Sequence, residues 1–184
     1  MNKIPKPAMS GTTRHDELTI VLHWLTALLV VVQFLLAEFW GYFPRPVHGL
    51  MIVTHMSFGL ILTAVLALRL VWRIWPGHSF FDDGTSLLDT AAHWTHRLLY
   101  ILLAAVVALG FLTRWTDNKP LSFFGLPIPS PFGTFSRGTG HFVDNIHDYV
   151  AWTIIILAGI HAVAALLHHY VLKDNVLRRM LSRR

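Results

Sequence analysis

The twenty residues LTIVLHWLTALLVVVQFLLA, 18–37, carry no charge between Glu17 and Glu38. That length decides the fold, because about 20 apolar residues are what an α-helix needs to cross the hydrocarbon core of a bilayer. Two further uncharged runs, Pro46–Leu68 and Tyr149–Leu172, are long enough to cross with some tilt. A fourth, Leu98–Thr113, is shorter, but Arg97 and Arg114 at its ends can snorkel outward and extend it. The expectation is an all-α integral membrane four-helix bundle: one domain over residues 1–184 with spans at about 17–40, 47–74, 90–114 and 141–172.

Composition agrees. Of the 184 residues 54% are hydrophobic and 14% charged, against roughly 25% charged in an ordinary soluble domain. The absence of cysteine excludes disulfides, iron–sulfur clusters and thiol nucleophiles. A net charge of +5 raises nucleic acid as a partner, but the basic residues flank apolar segments and form no aromatic-interleaved stripe, so none is expected. The polar stretch MNKIPKPAMSGTTRHD precedes an apolar run too long for a signal-peptide core, and the first helix is expected to be retained.

Tryptophans 40, 72, 75, 94 and 115 fall near the expected helix ends, where amphipathic rings favour the headgroup level. Lys3, Lys6, Arg14, Arg69, Arg73, Arg97 and five C-terminal Lys and Arg lie on one side, against Arg45, Arg114, Lys119 and Arg137 on the other. The positive-inside rule then puts both termini in the cytoplasm. The connection from Trp75 to Leu88 reads as an ordinary loop. In the longer one, SFFGLPIPSPFGTF (122–135) is too apolar for a free linker and too rich in proline for a helix. It is expected on the outer membrane surface or as a cap on the bundle, with a disordered loop as the alternative.

Histidine carries the chemistry. Twelve are present, several inside apolar runs where an imidazole needs a partner. His147 and His161, fourteen residues apart on the last helix, differ by about 21 Å of rise and lie within about 40° of one face. His23 enters the bilayer at the depth of His161, and His55 at the depth of His147. Two pairs at two depths follow, His23 with His161 and His55 with His147. Each is what the axial positions of a six-coordinate haem iron need, and paired imidazoles do not make the three- or four-ligand cluster of zinc or copper. For any one histidine a hydrogen bond to a neighbouring helix is the simpler account; agreement among four favours ligation. His96, at the start of the third span, competes for the position opposite His161. With both axial sites filled, the iron carries electrons and binds no substrate.

Gly59 and Gly159 lie close to the proposed rings and either admit a macrocycle or only let helices pack closely. His168 shares the ligand face near the cytoplasmic end, with Lys173 behind it. It could protonate a reduced quinone or touch headgroups or a propionate. On the outer side Arg45, Arg114, Lys119 and Arg137 look unmatched by carboxylates and would steer a small anion inward, or bind haem propionates or lipid phosphates.

The stretches LHWLTALLVV (22–31), EFWGYFPR (38–45), THMSFG (54–59), GIHAVAALLHHY (159–170) and KDNVLRRM (173–180) resemble the bacterial cytochrome b561 family over nearly the whole chain, and in particular its superoxide-oxidising members. The resemblance implies a bacterial inner-membrane protein with two haem b, taking electrons from superoxide on the periplasmic side and reducing ubiquinone, with no protein partner required. It implies axial ligands at His23, His55, His147 and His161, a quinone side near His168, and an outer mouth at Arg45. The residues before Arg14 and the long outer loop match least. Two other readings stand beside it: a subunit that passes electrons between a partner dehydrogenase or hydrogenase and quinone, and a cofactor-free histidine proton relay.

Overall fold

The computed structural model describes residues 17–74, 87–173 and 176–181. Lys3, Lys6 and Arg14, part of the Trp75–Leu88 connection, and Arg183 and Arg184, on which part of the orientation argument rests, lie outside the described residues. Helix α1 covers Glu17–Phe39, α2 Arg45–Ile74, α3 Leu87–Thr116, α4 Arg137–Leu167 and a short α5 Val176–Leu181. Four segments, Glu17–Tyr42, Arg45–Ile74, Thr90–Thr116 and Arg137–Leu172, are long and apolar enough to span a membrane. The third exceeds its uncharged core because both flanking arginines find partners. Arg97 lies over the Trp94 ring at 5.2 Å and Arg114 Nη2 donates to the Pro120 carbonyl at 3.2 Å.

The link from α1 to α2 is tight. A single 3₁₀ turn, Trp40–Tyr42, leads to Phe43, which is extended at φ −105° and ψ 153° because Pro44 follows it. α2 starts directly afterwards, with His48 N–H donating to the Pro44 carbonyl at 3.0 Å. At the head of α4, Ser136 is the N-cap and accepts from Thr139 N–H at 3.2 Å.

The bundle is two antiparallel pairs. α1 packs mainly on α2 and α3 mainly on α4, while α1 barely meets α4. Leu66, Leu103 and Ile154 form the buried core where the pairs meet, with Val30, Val106 and Val150 against it. Leu28, Leu50, Ile101 and Ile160 are exposed, as lipid-facing side chains must be. Below, the end carrying the α1–α2 and α3–α4 links is called distal, and the end carrying α5 proximal.

The apolar distal stretch contains structure beyond the expected loop. Leu121–Phe123 and Leu126–Ile128 pair antiparallel as strands β1 and β2. Phe124 and Gly125 join them at φ 47° and 92°, the positive values a two-residue type I′ turn requires. β1 rests on α2. Ser57, fully buried, accepts from Phe124 N–H at 2.8 Å and donates to the Val53 carbonyl at 2.6 Å, and the Phe58 and Phe124 rings meet edge-on. A non-helical segment beside a span is tolerable when its backbone is satisfied by protein in this way.

Candidate functional site

The space between the two helix pairs opens into a distal cavity of about 490 Å³, within the roughly 300–1,000 Å³ of ordinary cofactor pockets. Leu62, Leu103 and Ile154 lie at its floor, and His55 of α2 and His147 of α4 line its walls. The two imidazole centroids stand 6.3 Å apart with their planes at 78°. A metal–imidazole bond of about 2.0 Å, plus roughly 1.1 Å from nitrogen to ring centre, puts two axial ligands of one iron about 6 Å apart. The observed gap fits one metal atom.

Local contacts differ between the two rings. His55 Nδ1 lies 3.1 Å from the Gln33 carbonyl; a carbonyl only accepts, so Nδ1 bears the hydrogen and Nε2 keeps its lone pair. Trp40 packs edge-on to His55 at 5.4 Å. His147 Nδ1 is buried with only a loose approach to the Val106 carbonyl and no hydrogen bond of ordinary geometry.

Two glycines keep the space open. A Cβ on Gly110 would stand 3.2 Å from His147 Cε1, and one on Gly59 3.1 Å from Gln33 Nε2. Gln33 Oε1, Thr113 Oγ1 and Arg114 Nε are also buried without partners, and all three line the cavity. An apolar hollow with a few unanswered polar atoms suits an amphiphilic cofactor better than a bare ion. Among the described residues no group of three or more His, Cys, Asp or Glu could hold a metal ion alone. The residues present therefore fit a porphyrin held by two histidines.

At the proximal level the structure brings His161 to His96 of α3, with centroids 5.1 Å apart and planes at 69°. That is direct ring contact, closer than two axial ligands of one iron stand. His23 packs edge-on to Trp24 at 5.6 Å, and Trp24 Nε1 donates to the Met180 carbonyl at 2.9 Å, tying α5 to α1. One turn beyond His96, Tyr100 lies under Arg69 and Arg73 at 5.2 and 5.1 Å. α4 gives way at His168 to a wider turn, His168–Leu172, closed by Lys173 in the left-handed region at φ 55°. Such π-turns are frequent at functional sites.

The distal charges need a correction. Glu38, Asp117, Asp144 and Asp148 line the cavity together with Arg114, whereas Arg45 and Lys119 do not. One basic residue at this end, Lys119, is therefore paired with a carboxylate, and the cavity wall itself is more acidic than expected. Lys119 Nζ bonds the Asp117 carboxylate, and that bond holds the Asp117 carboxyl below the usual carboxylate range. Sequence reasoning missed Gln33, Gly110 and Thr113. An amide within an apolar span and a glycine within another were available signals for the first two; Thr113 offered none.

Residues 14–183 match the family model described as prokaryotic cytochrome b561. The chain is 31% identical over 175 residues to cytochrome b561 homolog 2 of Escherichia coli K12, covering 92% of both chains. It is 33% identical over 178 residues to cytochrome b561 homolog 1 of the same organism, covering 93% of this chain and 98% of that one. To the probable superoxide oxidase CybB of Yersinia pestis it is 29% identical over 175 residues, covering 93% and 97%.

Proposed function

Because the chain belongs to the prokaryotic cytochrome b561 family, membrane oxidoreductases that use haem b, we propose that it is a two-haem protein of the bacterial inner membrane that oxidises superoxide at the periplasmic side and reduces ubiquinone. The observation that supports it most is the His55–His147 pair, 6.3 Å apart across a cavity in a membrane bundle. The superoxide substrate draws its support from the likeness to the probable superoxide oxidase. In this reading the distal end is periplasmic and both termini are cytoplasmic.

Haem b, when bound, supplies a one-electron relay. His55 and His147 would hold the distal group, with the Gln33 carbonyl orienting His55 and raising the basicity of its Nε2. His161 would hold the proximal group with His23 opposite; His96, in contact with His161, would move aside or take that place itself. With paired histidines holding each group, the haems would carry electrons only. Leu66, Leu103 and Ile154 keep the zone between the levels dry. Arg45 and Lys119 would draw a small anion toward the distal rim. His168 and Lys173, in and beside the proximal π-turn, would bind the quinone, with His168 donating a proton to it. Two superoxide ions each give up one electron, and one quinone takes two electrons and two protons.

The test is purified protein in detergent with a superoxide source and a soluble ubiquinone. Superoxide loss coupled to quinol formation, with no other protein present, is the expected result. The cavity carboxylates Glu38, Asp144 and Asp148 favour a second reading, in which a positively charged protein donor feeds the distal haem. That reading wins if only an added reductase reduces the haems.

A further inference from the structure

The distal cavity has a polar end that the histidines do not use. Gly110 of α3 lies against His147, so its face of the helix looks onto the ligand level. Residues 113 and 114, three and four positions on, share that face about one turn, or 5 Å, nearer the mouth. Thr113 Oγ1 and Arg114 Nε are both buried, both without a hydrogen-bond partner, and both residues line the cavity.

The threonine departs from the habit of this bundle. Thr26, Thr54, Thr63, Thr95, Thr116 and Thr153 each donate to the carbonyl four residues back. Thr113 does not, and its hydroxyl stays available. Arg114 uses Nη2 on the Pro120 carbonyl, which anchors the guanidinium and leaves Nε to the cavity. Asp117, one turn on, bonds Lys119 and lies close enough to act on the Arg114 charge, yet makes no hydrogen bond to Nε. A buried donor left without an acceptor is costly. A neighbouring hydroxyl and guanidinium N–H, both donors, call for one anionic acceptor with two oxygens.

We infer that Thr113 and Arg114 form a carboxylate clamp for a propionate of the porphyrin held between His55 and His147. The inference rests on the haem reading above. A fixed positive charge at the propionate stabilises the reduced state, which carries one more electron, and so raises the distal reduction potential.

The experiment is a potentiometric titration of purified haem-loaded wild type, Thr113→Val, Arg114→Met and Arg114→Lys, with haem per chain measured in each. Redox-difference infrared spectra accompany it, on protein grown with 5-aminolevulinate carrying ¹³C at its carboxyl carbon, which marks the propionates. Arg114→Met is expected to shift the reduced-to-oxidised ratio of one haem at least tenfold toward oxidised at fixed potential, or 59 mV for one electron, and to move a propionate band. Thr113→Val moves the band with a smaller potential shift, and Arg114→Lys recovers most of the loss. Should Arg114→Met lose the haem outright, the labelled band of Thr113→Val decides. Two haems with wild-type potentials and unmoved bands in both variants would overturn the clamp alone, whereas a wild type without haem would overturn the reading beneath it.

Discussion

Gly110 is the position where one added methyl group tests the distal site most directly. An ideal Cβ there stands 3.2 Å from His147 Cε1 and 3.8 Å from Nδ1, while carbon atoms in ordinary contact lie about 3.5–4.0 Å apart. Alanine therefore requires the imidazole to retreat by roughly 0.3–0.8 Å or to turn. Turning it about 30° off its rotamer costs roughly 0.5–1.5 kcal/mol, and replacing glycine within a helix returns up to about 1 kcal/mol. Stability should then hardly change, while the ligand geometry does. Valine sends its methyls about 1.5 Å farther and overpacks the site by about 1–3 kcal/mol, enough to drive the ring from its place. The assay is haem per chain, with low-temperature reduced-minus-oxidised spectra and electron paramagnetic resonance of the ferric protein. Gly110→Ala should keep both haems and alter the signature of one; Gly110→Val should lose the same haem that His147→Ala loses. Full haem content and unaltered spectra in Gly110→Val would refute the placement of His147 as a ligand.

Deleting histidines singly sorts the remaining ligands. His55→Ala and His147→Ala should abolish one set of b-type bands and His161→Ala the other, and whichever of His23→Ala and His96→Ala reproduces the His161 spectrum identifies the opposite ligand. Ser57→Ala leaves the Phe124 N–H unanswered and should loosen the hairpin by about 1–3 kcal/mol, seen as faster hydrogen exchange at residues 121–128; unchanged exchange would show that the contact does not hold it. Because Lys119 depresses the Asp117 carboxyl, the pair stabilises the distal loop above the unfolded carboxylate pKa and loses that contribution as pH falls through the lowered folded value. Lys119→Met should move the Asp117 titration, followed by infrared on ¹³C-labelled aspartate, back up toward the ordinary range. An unmoved titration would exclude the lysine as its cause.

Uncharged length determined three of the four spans, and the arginines flanking Leu98–Thr113 the remaining one, because a bilayer leaves a helix little choice: backbone groups must bond within the segment, and charges collect at its ends. For the same reason depth was legible, since 1.5 Å per residue converts sequence position into level; His55 and His147 stand at one level in the structure. Rotation about each helix axis, and which helices are neighbours, depend on packing between segments far apart in the chain. Only the tertiary structure could therefore set His96 beside His161, gather Glu38, Asp144 and Asp148 on one cavity wall, or leave Thr113 and Arg114 facing an open cavity. The hairpin at 121–128 was hidden likewise, because its turn holds Phe124 at a positive φ that the Ser57 hydroxyl of another helix helps to secure.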